Sequence, residues 1–125
     1  MTNFTFRRGD ICWLEDEPHQ PGMTYVLHGR RPCIIISGDE INRHSLTLIV
    51  APITHTIDKR IYAGQFDIMF NGSVSRVRCD QIRVVDRAQL STPVGSLSRR
   101  LMDRLDAVLT ETLGTEPEGT VAVEV

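Results

Sequence analysis

The chain has little of several features that mark specialised classes of protein. Lysine is almost absent, since thirteen of the fourteen basic residues are arginine and Lys59 is the only lysine. Acidic residues number sixteen, so the formal net charge is −2 at pH 7 and the isoelectric point lies near 6.0. The whole surface is therefore not basic, and any phosphate-binding surface has to be a local cluster of arginines.

The three cysteines are too few and too far apart to form a disulfide framework. Cys12, Cys33 and Cys79 each lie in or beside an apolar segment, with no short paired spacing. An odd count without a secretory leader argues against disulfides and against a zinc site, so we interpret all three as buried thiols in a reducing cytoplasm. No apolar run approaches membrane-spanning length, so we expect a cytoplasmic protein with no membrane partner.

A length of 125 residues, with 41% hydrophobic and 24% charged residues, is typical of one soluble domain. We expect residues 1–114 to form that domain. The last eleven residues, 115–125, contain Glu116-Pro117-Glu118-Gly119 and are expected to form a loose acidic tail.

Short apolar segments predict a mainly β fold with one helix. Strands are predicted at 11–14, 32–37, 46–53, 65–70, 74–80 and 82–85. Asn71-Gly72 is predicted as a hairpin turn, and Pro52 lies near the end of its strand, as expected for an edge or bulge. A long connection spans residues 15–30. Leucine and valine then recur at helical spacing from Leu97 to Leu109, with Ser96 or Ser98 as the start and Gly114 as the end. These elements predict a small, strongly curved sheet or partly open barrel with the helix packed on it.

Three short segments each place polar side chains where a predicted strand begins or ends. They are Gly29-Arg30-Arg31-Pro32, Val50-Ala51-Pro52-Ile53-Thr54 and Arg78-Cys79-Asp80-Gln81. If residues 74–80 form a strand, Arg76, Arg78 and Asp80 share one face, because side chains alternate along a strand. A cation and a carboxylate two positions apart are separated by roughly 6.6 Å, which can bracket one phosphate group. The other interpretation is an ordinary surface ion pair.

In this order, these segments resemble the PemK/MazF family of toxins from type II toxin–antitoxin systems. The resemblance also includes Arg8-Gly9-Asp10-Ile11, the sequence Ile82-Arg83-Val84-Val85-Asp86 and the closing helix that ends at Leu113-Gly114, and it covers about residues 7–114. It implies an SH3-like, PemK/MazF-type barrel of five to seven strands with a C-terminal helix. It also implies a homodimer and a cognate antitoxin whose acidic C-terminal segment lies across the basic groove.

The resemblance further implies an endoribonuclease that cleaves single-stranded RNA without a metal ion or other cofactor. In that reaction the 2′-hydroxyl attacks the adjacent phosphate and leaves a 2′,3′-cyclic phosphate and a 5′-hydroxyl. Arg31 corresponds to the arginine that holds the scissile phosphate, and Thr54 to the hydroxyl that hydrogen-bonds it. Asp80 matches the proposed base and Arg78 the proposed acid, although a guanidinium so rarely loses its proton that Arg78 fits a transition-state clamp better.

Five further residues are candidate RNA contacts: Arg30, His28, His55, Tyr62 and Gln81. His28 follows a loop, residues 23–27, that departs from the family pattern, and it is either a missing acid or base or a mobile loop histidine. His55 is either an RNA contact or an exposed loop residue. Tyr62 either stacks on a base or belongs to the core or dimer interface.

Other residues are assigned structural roles. Trp13 and Phe66 are interpreted as core residues. Arg99, Arg100 and Arg104 are interpreted as the solvated face of the helix, paired with Asp103 and Asp106.

Two other functions remain open. The same fold includes toxins that bind DNA gyrase and cleave nothing, and a relic could keep the fold and dimer without activity. The joint presence of Arg31, Thr54, Arg78 and Asp80 favours the nuclease, whereas the altered loop at residues 23–27 leaves the relic possible.

Overall fold

The computed structural model describes residues 5–18 and 22–115, and within these ranges seven strands and two helices alternate with short turns. The strands are β1 (Asp10–Leu14), β2 (Arg31–Ile35), β3 (Thr47–Thr54), β4 (Gln65–Phe70), β5 (Ser73–Arg78), β6 (Arg83–Asp86) and β7 (Gly95–Ser96). The helices are α1 (Asp39–His44) and α2 (Arg99–Leu113), and single 3₁₀ turns cover Cys79–Gln81 and Arg87–Gln89.

The strands form one antiparallel sheet in which β3 is the central element. Its order is β4-β5-β3-β2-β1-β7, and β6 also pairs with β3. One edge of β3 pairs with β2, while the other edge pairs first with β6, through residue 50, and then with β5, from residue 53. Because one strand serves three partners, the sheet curls into a half-barrel, which confirms the predicted curved sheet.

Pro52 was expected near the end of its strand at an edge or bulge, and it lies near the end of β3 at a break between two ladders. Pro52 is almost fully buried and pairs with Cys33 in the middle of the sheet. It is accommodated because residues 51 and 52 lie between the β6 ladder and the β5 ladder, so no strand pairs with them on that edge. A gap between ladders tolerates a residue that lacks a backbone N–H.

The curled sheet has a hydrophobic cluster on each side. One cluster lies under α2 and includes Ile11, Ile34, Phe66 and Leu105. The opposite cluster includes Cys12, Cys33 and Val85 of β6. Phe66 is therefore a core residue, as predicted.

All three cysteines are free and fully buried, which confirms the interpretation of buried thiols. Burial raises the pKa of Cys12, Cys33 and Cys79 to about 12. They are inert thiols at neutral pH.

The signals for the hairpin and for α2 are confirmed. Asn71 and Gly72 both have positive φ, as a tight two-residue turn requires. The side chain of Ser98 accepts the N–H of Leu101 at the start of α2, and Gly114 ends the helix in the left-handed conformation.

Other predictions are corrected or lie outside the described residues. The helix α1 was not expected, and β5 ends at Arg78, because Asp80 belongs to the 3₁₀ turn. The long connection has no regular structure in residues 15–18 and 22–30. From residue 116 onward the predicted tail lies outside the described residues. None of the helices in residues 5–18 and 22–115 is long and apolar enough to cross a membrane.

Replacing Leu105 by alanine tests the packing of α2 on the sheet. Leu105 is fully buried, so we expect Leu105→Ala to lower the free energy of unfolding by about 2–5 kcal/mol in urea denaturation. Leu113→Ala is the control on the same helix, because that side chain is largely exposed and should cost less than about 0.5 kcal/mol. Equal losses for the two variants would contradict the described packing.

Candidate active site

The ends of β2, β3 and β5 meet at a cavity of about 540 Å³. Its polar wall includes Arg30, Arg31, Thr54, His55, Asp58 and Arg78. Three of the four predicted catalytic residues therefore lie around one space, namely Arg31, Thr54 and Arg78. The fourth, Asp80, does not line the cavity but contacts Arg78 from behind it.

The register of the sheet brings Arg31 and Thr54 together. Cys33 lies opposite Pro52 in the pairing of β2 with β3. Continuing that antiparallel register by two residues places Arg31 opposite Thr54, and side chains so placed are near neighbours. Thr54 is buried, and its Oγ1 accepts the N–H of Thr56 at 3.2 Å, which leaves the hydroxyl hydrogen to donate to a ligand.

Arg31 has few partners for a side chain that carries a charge. One terminal nitrogen donates to the backbone oxygen of His28 at 2.6 Å, while its Nε is buried without a hydrogen-bond partner among the described residues. No carboxylate of the described residues lies within ion-pair distance of Arg31. Burial lowers the pKa of Arg31, partly opposed by the charge of Asp16. An incompletely paired guanidinium at a cavity wall is a binding site for an anion.

Arg78 and Asp80 form a two-pronged ion pair. The Nε of Arg78 donates to Oδ1 of Asp80 at 2.8 Å, and a terminal nitrogen donates to Oδ2 at 2.9 Å. Gln65 adds a third hydrogen bond to Asp80 at 3.3 Å, and the N–H of Asp80 donates to the backbone oxygen of Gly64 at 3.1 Å. The carboxylate thus fixes the guanidinium beside the cavity and leaves its other terminal nitrogen to a ligand.

This pairing determines the proton chemistry of both groups. Partial burial alone would raise the pKa of Asp80, but hydrogen bonds from Arg78 and Gln65 outweigh it and hold the pKa below the usual 3.8. The hydrogen bond to Asp80 raises the pKa of Arg78 in turn. In this geometry Asp80 is a weak base and Arg78 is a very weak acid.

The predicted common face of Arg76, Arg78 and Asp80 does not form. Arg76 is buried and makes its own two-pronged ion pair with Asp67, at 2.8 and 3.2 Å. Asp80 has left the strand for the 3₁₀ turn. The arginine–carboxylate contact exists, but it is made around a turn rather than along a strand face.

Trp13 packs against the core cluster, in line with its interpretation as a core residue, and it also lines the cavity, which was not expected. It is only partly buried, and the guanidinium of Arg30 lies over its ring at 4.4 Å. Arg30 is also paired with Glu15 at 2.6 Å. Trp13 lies opposite Pro32 in the β1–β2 register. Pairing the first two predicted strands in this register would have placed Trp13 beside the Arg31-Pro32 segment and so at the cavity.

Two of the candidate RNA contacts anchor the long connection instead of lining the cavity. The amide of Gln81 accepts the N–H of Leu27 at 2.6 Å and donates to the oxygen of Tyr25 at 3.0 Å. The Nδ1 of His28 lies 3.3 Å from Asp16, which also pairs with Arg83. Both residues therefore hold the segment whose carbonyl at His28 accepts from Arg31.

The remaining two candidates differ in position. His55 lines the main cavity. Tyr62 is half exposed beside a second cavity of about 380 Å³ against α2, with the guanidinium of Arg60 at 5.0 Å from its ring. On α2, Arg99 pairs with Asp103 as predicted, whereas the partner of Asp106 is Arg8.

Comparison with known proteins gives a consistent result. The family model described as PemK-like, MazF-like toxin of type II toxin–antitoxin system matches residues 7–113. The Endoribonuclease MazF of Staphylococcus epidermidis is 32% identical over 112 residues, which are 86% of this chain and 91% of that protein.

Two solved structures from Deinococcus radiodurans have the same fold. MazF superposes with a TM-score of 0.72 at 19% identity, over 90% of this chain and all of that chain. A MazE–MazF structure superposes with a TM-score of 0.68 at 19% identity, over 91% of this chain and 100% of that chain. These matches confirm the predicted PemK/MazF-type barrel.

The fold and the cavity define a small half-barrel protein with several arginines around one cavity. The chain belongs to the PemK-like, MazF-like toxin family of type II toxin–antitoxin systems, as its sequence motifs predicted.

Changing Asp80 to asparagine tests the Arg78–Asp80 pair through its pH dependence. Folding lowers the pKa of Asp80, so the ionised carboxylate stabilises the folded state. This stabilisation is fully present at pH values above the unfolded pKa of about 3.9, and it is lost as the pH falls through the lower folded pKa. We expect wild type to exceed Asp80→Asn in unfolding free energy at neutral pH, with a difference that shrinks below about pH 4. Urea denaturation over a pH series measures it, and a pH-independent difference would contradict the pairing.

Proposed function

We propose that this protein is the toxin of a toxin–antitoxin pair and an endoribonuclease that cleaves single-stranded RNA. The 2′-hydroxyl of the RNA attacks the neighbouring phosphorus, and the products are a 2′,3′-cyclic phosphate and a 5′-hydroxyl. The nucleophile belongs to the substrate and the positive charges belong to arginines. The reaction therefore calls for no metal ion or other cofactor.

One observation carries this proposal: Arg31, Thr54 and Arg78 surround a single cavity, and Arg31 has no carboxylate partner there among the described residues. Attack on phosphorus builds negative charge on the phosphate oxygens. Guanidinium groups and hydroxyls already held around that position stabilise the charge without having to reorganise. The cavity therefore matches the transition state of phosphate cleavage better than it matches a neutral ligand.

The roles follow from the contacts. Arg31 binds the scissile phosphate through the donors that the protein leaves unused, and Thr54 donates its hydroxyl hydrogen to the same phosphate. Arg78 supplies a second guanidinium, which Asp80 holds in position. The role of Asp80 as base remains a prediction, and it requires RNA to draw Arg78 away first.

The RNA on either side of the scissile phosphate is expected to cross the same cavity. Arg30 over Trp13 offers a flat cationic surface for an unpaired base, and His55 lies in the same wall. His28 and Gln81 would act indirectly by fixing the loop. Tyr62 lies against α2 and would contact only a longer RNA.

We also propose a homodimer that binds a cognate antitoxin. The acidic C-terminal segment of that antitoxin would compete with RNA for Arg30, Arg31 and Arg78. One fold neighbour is described as an endoribonuclease in complex with its cognate antitoxin from a mycobacterial species, which supports this proposal.

Cleavage assays test the activity directly. Purified protein is incubated in EDTA with a mixed pool of single-stranded RNA, and the new ends are mapped. We expect cuts at restricted sequences with cyclic phosphate ends. Arg31→Ala should lower the cleavage rate by at least about 100-fold, because it removes a charge-stabilising donor, and Arg31→Lys should not restore it, because lysine lacks the planar fork.

Arg43→Ala is the matched control, since Arg43 lies on α1 and pairs with Glu40 outside the cavity. It should cleave like wild type. Intact RNA with wild-type protein would overturn the nuclease and favour a gyrase-binding toxin or an inactive relic.

Fluorescence provides a separate test of binding, because Trp13 is the only tryptophan in the chain. An RNA whose scissile 2′-hydroxyl is replaced by hydrogen cannot be cut. We expect it to change the Trp13 emission in a saturable way that weakens as salt rises. The change should be lost in Arg31→Ala and kept in Arg43→Ala. A flat emission signal at RNA concentrations that saturate cleavage would exclude RNA from this cavity.

A further inference from the structure

The proposed reaction leaves one chemical requirement unmet by the residues discussed so far. When the bond from phosphorus to the 5′-oxygen breaks, that oxygen needs a proton, because an alkoxide is a poor leaving group. Arg78 is a very weak acid in its ion pair, and Asp80 is held ionised behind it. Arg31, Arg30 and Thr54 do not titrate near neutral pH.

His55 is the only imidazole among the described residues of the cavity wall. It follows Thr54 directly at the end of β3. In the β3–β5 register, Thr54 pairs with Arg76, so the next position places His55 opposite Ser75. The ring confirms this placement, because its Nδ1 lies 3.3 Å from Oγ of Ser75.

Ser75 is a fixed support for that ring. Ser75 is fully buried in β5, so the position of its hydroxyl is fixed by the sheet. A hydrogen bond at Nδ1 selects the ring orientation and leaves Nε2 as the nitrogen available to a ligand. Histidines that transfer protons are commonly oriented through one nitrogen and react through the other.

Several charged side chains line the same cavity as His55. The cationic groups are Arg30, Arg31 and Arg78, and Asp58 is the only carboxylate of the described lining. A phosphate bound among these arginines would lie in the same cavity as the imidazole of His55.

We propose that His55 is the general acid of this site, a role that rests on the proposed ribonuclease function. The 2′-oxygen forms a bond to phosphorus and gives its proton to the general base, for which Asp80 remains the predicted carboxylate. The bond from phosphorus to the 5′-oxygen breaks, and Nε2 of protonated His55 gives its proton to that oxygen. Solvent then returns a proton to His55 and removes one from the base.

A leaving group that needs no proton tests this role. In an RNA with sulfur in place of the scissile 5′-oxygen, the thiolate leaves unprotonated. We expect His55→Asn to cleave ordinary RNA about 10²–10⁴-fold more slowly than wild type, the usual contribution of a general acid. On the sulfur substrate the same variant should cleave within a few-fold of wild type. A merely structural histidine would slow both substrates alike.

The matched control is His44→Asn, since His44 lies exposed on α1 with Glu40 as its neighbour. It should cleave both substrates like wild type. Urea denaturation of both variants identifies any loss of folding.

Wild-type protein alone gives an independent measurement. The kcat for ordinary RNA should fall on the alkaline side as the donor loses its proton, because histidine is the side chain that ordinarily changes charge between pH 5 and 8. That alkaline fall should be absent for the sulfur substrate. An alkaline fall that is the same for both substrates overturns the role of His55.

The two proposals fail in different ways. If wild type leaves every RNA intact, the ribonuclease function itself is wrong. If wild type cleaves RNA, and His55→Asn cleaves ordinary RNA as fast as wild type or is not rescued by sulfur, the ribonuclease stands and His55 is not its acid.

Discussion

The pairing of β3 with its neighbours is the constraint on which the site depends. Its register with β2 sets Arg31 opposite Thr54, and its register with β5 sets His55 opposite Ser75. A slip of one residue would turn every side chain of a strand to the other face. The buried faces of β2 and β3 prevent such a slip, because it would expose isoleucine and valine side chains that are now fully buried. The hydrophobic core therefore holds the geometry of a polar cavity several residues away.

Two arginines of the cavity have opposite electrostatic roles because their surroundings differ. Arg78 has a carboxylate partner on two of its nitrogens, which fixes its position and strengthens its hold on its proton. Arg31 has a backbone carbonyl and a buried Nε without a partner among the described residues, so it is desolvated without being neutralised. Leaving such a group unpaired costs folding free energy. In the proposed function, a bound phosphate would accept a hydrogen bond from this guanidinium and relieve that cost.

Much of the architecture could be predicted from local signals, whereas the site required three-dimensional information. Ser98, Gly114 and Asn71-Gly72 act within a few residues, so their effects could be inferred from the sequence. The break in pairing at Pro52 could not be inferred from the sequence, because it arises where one edge of β3 changes partner from β6 to β5. Motif resemblance identified Arg31, Thr54 and Arg78, which do converge. It could not show that Asp80 lies behind Arg78, because that position depends on the turn after β5. It also could not show that Trp13 lines the cavity, because a tryptophan between apolar neighbours has the same sequence pattern in a buried strand and in a strand at a cavity wall.

The distribution of charge explains how a chain with net negative charge can present a locally cationic cavity. Half of the ten arginines outside the cavity pair with a carboxylate, for example Arg8 with Asp106, Arg76 with Asp67 and Arg83 with Asp16. Such pairs contribute little to the field at a distance. In the cavity wall Arg30 pairs with Glu15 and Arg78 with Asp80, so Arg31 is the cavity arginine whose charge no ion pair offsets among the described residues. RNA would be attracted over roughly a Debye length and not along the whole surface. In the proposed function, recognition of RNA would then depend on contacts inside the cavity.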